Sequence, residues 1–199
     1  VTKKSKNPTP KKKKPAEYGA WMPGPGLELF RPAQQKLGEL NILAEDLGNI
    51  TPQVRELLAE TGYPGMKVLQ FAFDSDADNE FLPHNYTTSH CVVYTGTHDN
   101  DTLLHWAETL NREPLRFARA YLDVESRQDV PADVGGAAWS SIAELAIAQM
   151  QDFLKAGGEG RMNLPSTLGG NWCYRTKAEQ YTEKLQRRIR RLNRTYGRK

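Results

Sequence analysis

The stretch VVYTGTHDNDT, residues 92–102, places three β-forming residues and a short turn directly before a His, two Asp and an Asn. An apolar run of strand length that empties into polar side chains marks a strand buried on both faces, with its carboxyl end opening on a loop. Two runs upstream have the same design. LNILAEDLG (40–48) closes on Glu45 and Asp46, and GMKVLQFAF (65–73) leads into Asp74 and the polar loop DSDADNEFLPHNY, which reaches His84. Three strands are therefore expected, ending in Glu45-Asp46, in Asp74 with the loop to His84, and in His98-Asp99-Asn100.

Helical segments separate these runs. In GNITPQVRELLAETG, Thr51 is an N-cap, Pro52 takes the first helical position and Gly62 stops the helix, which predicts a helix over 52–61. DTLLHWAETLNR (101–112) has helical spacing at Leu103, Leu104, Trp106, Ala107 and Leu110, with Asp101 or Thr102 as cap. LFRPAQQKLGEL (29–40) predicts a short helix ending near Gly38, with Pro32 tolerated only if the helix begins close to Arg31. AAWSSIAELAIAQMQDFLKAG (137–157) reads as one long buried helix. Residues 160–175 read as loop with a short strand at 160–163, and 176–196 as a polar helix whose Arg-rich end suits the negative pole of its dipole. Strands alternating with helices indicate an α/β fold with a parallel sheet, doubly wound or a (β/α) barrel, in which chemistry lies at the carboxyl ends of the strands.

The chain has 199 residues, enough for one domain, and 38% of them are apolar. Its formal charge of +3 is unevenly spread. Residues 1–14 hold seven Lys and residues 184–199 hold eight Lys or Arg, with no acid in either, so residues 15–183 carry about −12. An acidic body repels nucleic acid over most of its surface, leaving phosphate affinity to the tails. Residues 1–17 are expected to be a disordered Lys-rich arm, and 18–199 to be the folded domain, ending in the basic helix. Two cysteines, Cys91 and Cys173, are too few for a disulfide framework and fit a reducing cytosol or plastid. No run approaches the roughly 18 apolar residues of a membrane span.

ILAEDLGNITPQV, GYPGMKVLQFAF, LPHNY, VVYTGTHDNDT and GRMNLPSTLGGNW occur in this order across residues 42–172, and in that order they resemble the 4-α-glucanotransferases (amylomaltases, or disproportionating enzymes) of the α-amylase clan. The resemblance implies a (β/α)₈ TIM barrel that transfers α-1,4-glucan segments between chains with retention, without metal or organic cofactor. It assigns Glu45 as general acid/base after the fifth strand and Asp99 as transition-state stabiliser after the seventh, with His98 beside it on the donor sugar. The sequence departs from the family at Ser166, where Gly is usual, and at Tyr174, where Trp is more usual. The family's nucleophilic Asp, in an R-I-D-H-like fourth strand, has no counterpart upstream of Glu45. The expected fold is therefore the second half of the barrel, strands five to eight, with a complementary first half or self-association covering its open edges.

A retaining transfer needs a nucleophilic carboxylate and a second carboxyl group about 5 to 5.5 Å away that is first protonated, then ionised. Apolar neighbours and the like charge of Asp46 are expected to raise the pKa of Glu45 for that task. Alone, AEDLG reads as an acid pair at a helix start; the other motifs in register reverse that for Glu45, and Asp46 keeps the capping role. His98, Asp99 and Asn100 suit hydrogen bonding to sugar hydroxyls, against a plain polar turn between strand and helix, and Asn100 and Asp101 read as capping or supporting groups. Metal binding is the competing reading, but His84, His90, His98 and His105 match no compact zinc spacing. Trp172 and Tyr174, in a Gly-rich loop, are candidates for glucan contact together with Asn171, and Asn79, His84 and Asn85 for acceptor binding, against an ordinary solvated loop. Trp106 and Trp139 read as core. A different class of function, a basic-tailed structural or nucleic-acid-associated module on a degenerate barrel, predicts binding that weakens steeply with salt.

Overall fold

The computed structural model describes residues 22–199, so the Lys-rich arm 1–17 lies outside the described residues. Two units are distinguished, residues 1–40 and 41–199. The first contains helix α1 (Leu27–Leu37). It begins earlier than expected, because a turn at Pro25-Gly26 starts it: Glu28 N–H donates to Pro25 O at 3.1 Å and Leu29 N–H to Gly26 O at 3.2 Å. Pro32 consequently lies inside the helix, where it cannot donate to the Glu28 carbonyl.

In the second unit, α2 (Pro52–Thr61) forms as the Thr51-Pro52 start and Gly62 stop predict. Gly62 adopts a left-handed conformation at φ 67°. Strand β1 (Gly65–Val68) follows, then a 3₁₀ turn at Leu69–Phe71. Strand β2 (Cys91–Tyr94) leads to α3 (Leu103–Thr109), capped by the Thr102 side chain. Then come α4 (Arg112–Leu122), α5 (Val130–Ser140), β3 (Leu145–Ile147), α6 (Met150–Leu154) and α7 (Glu183–Thr195). The strands make one parallel sheet in the order β1-β2-β3, with Met66 opposite Val92 and Val93 opposite Ala146. Parallel pairing, with 3₁₀ turns between β1 and β2 and the helices α3, α4 and α5 between β2 and β3, gives an α/β fold. Central β2 is buried from Cys91 to Val93, which accounts for its unbroken apolar sequence, whereas the edge strand β3 leaves Leu145 exposed.

Three expectations are corrected. The segment 137–157 is not one helix: α5 stops at Ser140, β3 pairs with β2, and α6 follows a loop. Residues 40–48 form no strand. Ala44 N–H reaches Pro64 O at 2.9 Å, but the next ladder donor, Met66 N–H, is taken at 2.7 Å by the Asp46 carboxylate, and Pro64 has no N–H to offer. Asp46 thus caps this backbone rather than a helix. Gly65 makes room for it, since a Cβ there would come within 2.5 Å of Asp46 Oδ2. Residues 160–163 form no strand; a 3₁₀ turn at Gly158–Gly160 precedes extended chain.

The core lies between the sheet and α3, α4 and α5. Leu69, Phe73, Leu82, Val93, Val130 and Val134 are all buried in it. Phe73 is its centre, with its ring 5.9 Å from those of Trp106 and Tyr121 and 6.1 Å from that of Phe117. Trp139 is buried as expected, its indole N–H donating to Asn193 Oδ1 at 2.8 Å. Cys91 is buried, which pushes its thiol pKa up. Among the described residues no helix is long and apolar enough to cross a membrane.

Candidate active site

The carboxyl ends of β1, β2 and β3 open into one cleft of about 1240 Å³, whose lining includes Glu45, Asp74, His98, Asp99, Asn100 and Gln149. Glu45 and Asp99 therefore face a common space. The burial expected around Glu45 is not present: its side chain is exposed. On one wall Arg55 and Lys67 both bind Glu80, at 3.2 Å each, and the Arg55 hydrogen bond holds the Glu80 carboxyl below the usual range.

The turn after β2 is built by its own polar residues. Asn100 Oδ1 accepts from Thr97 N–H at 2.8 Å and from the Thr97 hydroxyl at 2.9 Å, closing a tight loop. Asn100 is thereby a turn-former whose side chain is already engaged. Gly96 is required just before it, because a Cβ would sit 2.5 Å from Gln70 Nε2 and 3.1 Å from Asn100 Cβ. His98 and Asp99 project outward, each about half exposed, with His98 Nε2 3.4 Å from Asp99 Oδ1.

The GRMN segment crosses this turn. Asn163 N–H donates to His98 O at 3.1 Å, and Asn163 Nδ2 to Asp99 Oδ1 at 2.6 Å. Arg161 donates to Asp99 O at 2.7 Å and lies 3.4 Å from Asp101 Oδ2. Sequence reasoning quoted this segment without assigning these residues. Their signal was only the polar pair two apart, which carries no meaning until the segment is seen to cross the turn. Gln70, from the end of β1, was missed because it lies in an apolar run; it is buried and donates to Asp101 O at 2.8 Å.

Trp172 comes to the same place, its ring 5.1 Å from that of His98 and half exposed. Its N–H donates to Met162 O at 2.6 Å, at a left-handed φ of 62°. Asn171 does not point outward; it ties the loop internally, accepting from Leu164 N–H at 2.9 Å and donating to Thr167 Oγ1 at 3.0 Å. Ser166, where the family usually shows Gly, has φ 64°, the conformation that favours glycine. His84 is not brought to this cleft. Its Nδ1 is 3.1 Å from the Tyr121 hydroxyl and its Nε2 3.0 Å from Ala77 O, so it pins the 74–85 loop to α4. Asn85 likewise donates to Ala77 O and Asn79 O. Asn79 lines the cleft, but its amide nitrogen is shared among Phe71 O, Asp74 and Ser75. Among the described residues, no three His, Cys, Asp or Glu side chains converge as a metal site.

A sequence profile described as 4-alpha-glucanotransferase matches residues 8–181. The chain belongs to the 4-alpha-glucanotransferase family. It is 45% identical to the 4-alpha-glucanotransferase of Clostridium butyricum over 93% of its own length and 38% of the relative's. It is 44% identical to that of Synechocystis sp., over 96% of this chain and 38% of the relative. A chloroplastic/amyloplastic 4-alpha-glucanotransferase of Arabidopsis thaliana is 45% identical over 95% of this chain and 33% of the relative. Among solved structures, the amylomaltase from Streptococcus agalactiae in complex with acarbose superposes with a TM-score of 0.84 at 37% identity, covering 90% of this chain and 36% of that one. The chain thus spans less than two-fifths of the length of these relatives.

Proposed function

We propose that residues 18–199 supply the acid/base side of a retaining 4-α-glucanotransferase, acting on α-1,4-glucan chains. The observation that carries this reading is that Glu45 and Asp99, from the first and fourth of the five motifs, line one cleft. In the proposed reaction a carboxylate from a complementary segment attacks the anomeric carbon while Glu45 protonates the departing glycosidic oxygen. Glu45 then takes the proton from the acceptor hydroxyl as the glycosyl intermediate is resolved. Asp99 bonds the sugar hydroxyls and stabilises positive charge on the ring as it develops. His98 bonds the donor sugar, and Trp172, packed against it, offers an apolar face to a pyranose.

The same reading makes the three-stranded sheet, with the segment 40–48 at its edge, the second half of a (β/α)₈ barrel. The exposed side chains of Leu43, Ile142 and Leu145 and the unpaired edge of β3 support a covered surface in the assembled state. The cover is a first-half barrel carrying the nucleophile or, without it, a second copy of this chain. The 37% identity to a structure that holds acarbose supports a glucan ligand, and the plastid name of one relative makes a plastid or the cytosol the expected location.

The test is reconstitution. The chain is mixed with a first-half barrel bearing the R-I-D-H-like strand, and glucose release from maltotriose is followed. Turnover is expected with the native chain and its loss with Glu45→Gln; equal turnover by Glu45→Gln would sink the assignment.

A further inference from the structure

Asp101, the second Asp of the THDND run, is not among the residues lining the cleft and is held by five groups. Its carbonyl accepts from Gln70 Nε2 at 2.8 Å and from Gln149 Nε2 at 3.3 Å, residues that follow β1 and β3. Its Oδ1 accepts from its own neighbour, Thr102 N–H, at 2.8 Å. Its Oδ2 lies 2.7 Å from His105 Nδ1 and 3.4 Å from Arg161 Nη1. Its side chain is only 15% exposed.

Arg161 extends that anchorage to the chemical residues. One guanidinium reaches Asp99 O through Nη2 at 2.7 Å, Asp101 Oδ2 through Nη1, and Asn163 O through Nε at 3.0 Å. Three acceptors in different directions match the fixed fork of a guanidinium and exceed what one ammonium reaches. The same three contacts set Asn163, whose side chain holds Asp99 Oδ1 and whose N–H holds His98 O. Loop 161–172, which carries Trp172, is thereby joined to the turn that carries His98 and Asp99.

We propose that Arg161, braced by Asp101, is a positioning residue that fixes the Asp99 carboxylate and the His98 ring relative to Trp172. This rests on the reading of the cleft as a glucan site. Arg161 itself touches only this chain's own atoms, so it acts through Asn163 and Asp99. Without it, Asn163 and Asp99 remain folded parts of their loops but lose their fixed relation, and misplacement on the scale of 1 Å at such a site costs about a hundredfold in function.

The test uses the full chain with Arg161→Met, Arg161→Lys and Asp101→Asn. Hydrogen exchange of the Asn163 side-chain amide is read by NMR, maltoheptaose affinity by calorimetry, and the melting temperature by circular dichroism. The expected result is exchange faster by about fivefold, the equivalent of one hydrogen bond of ordinary net strength. Maltoheptaose affinity falls at least tenfold by the same positional argument, and the melting temperature stays close to that of the parent. Lys fails to restore either readout. Unchanged Asn163 exchange in Arg161→Met, or full restoration by Lys, overturns the proposal. If Arg161→Met does not fold, Asp101→Asn, which keeps shape and removes the charge, must show the same accelerated exchange. If the parent chain does not bind maltoheptaose, the glucan reading is at fault, and the exchange data still decide the role of Arg161.

Discussion

The carboxylate of Asp152 ties together two consecutive elements that lie 57 and 49 residues before it in the sequence: it accepts the Thr95 hydroxyl at 2.7 Å through one oxygen and Leu103 N–H at 2.8 Å through the other. Thr95 is fully buried and follows β2; Leu103 opens α3. One side chain from α6 thus satisfies a buried hydroxyl and one of the unpaired donors at a helix start. Asp152→Ala strands both and is expected to lose about 1–3 kcal/mol, measured by urea unfolding.

Burial raises the pKa of Asp152 above its ordinary value, against the opposing pull of its hydrogen bonds to Leu103 and Thr95. A carboxyl that holds its proton more tightly folded than unfolded contributes stability at pH below its unfolded pKa, and that contribution is lost as pH rises through the folded value. Asp152→Asn should therefore flatten the decline in stability across the weakly acidic range, seen in denaturation midpoints collected from pH 3 to 7. An unchanged slope would count against burial as the cause.

Gly96→Ala places a methyl group against the amide of Gln70 and the Cβ of Asn100. Gln70 is buried and cannot swing into solvent, so its bond to Asp101 O is expected to break, at a cost of about 1–3 kcal/mol. A melting curve alongside maltoheptaose titration should show both stability and affinity fall. Loss of one without the other would mean that the turn relaxes independently of its support.

Ser166→Gly has the opposite sign. A residue with a Cβ at φ 64° pays about 1–2 kcal/mol of steric strain, and glycine's added chain entropy returns part of that. The substitution is expected to be neutral or stabilising by up to about 1 kcal/mol, measured by thermal unfolding.

Arg198 closes the carboxyl end of α5. Its guanidinium donates to Trp139 O at 3.1 Å, to Ser141 O at 2.9 Å and to Ala143 O at 2.5 Å. These are carbonyls at and just past a helix terminus, which lack intrahelical partners. Arg198→Ala should cost about 1–3 kcal/mol, with faster amide exchange localised to residues 139–145. Uniform exchange changes across the domain would refute this local account.

Elements with local signals were legible in the sequence. α2 was bounded correctly because Thr51, Pro52 and Gly62 act on their own neighbours, and β2 because a central parallel strand must be apolar throughout. What failed depends on distant partners. The run from Ala137 to Gly157 is rich in Ala and free of Pro and internal Gly, as a helix would be, yet β2 needs a neighbour, and pairing overrides propensity at Leu145–Ile147. At 40–48 the apolar pattern of a strand is present, but pairing stops where the Asp46 side chain takes the Met66 donor. His98 and Asp99 could be named from the polar run that follows β2, whereas Glu45 was named from the motif ILAEDLG, since residues 40–48 form no strand. His84 and Asn171 were candidates by residue type alone, and only the fold reveals that their polar atoms serve their own loops.

The carbonyl of Asp101 behaves as a keystone: side chains following two flanking strands meet on one oxygen that follows the third. The end of the turn is thereby held from below, by positions 70 and 149, while Asn100 and Thr97 close it from within. Substitution at 98 or 99 should therefore leave the scaffold beneath in place, whereas tampering with the underside would shift both of those side chains together.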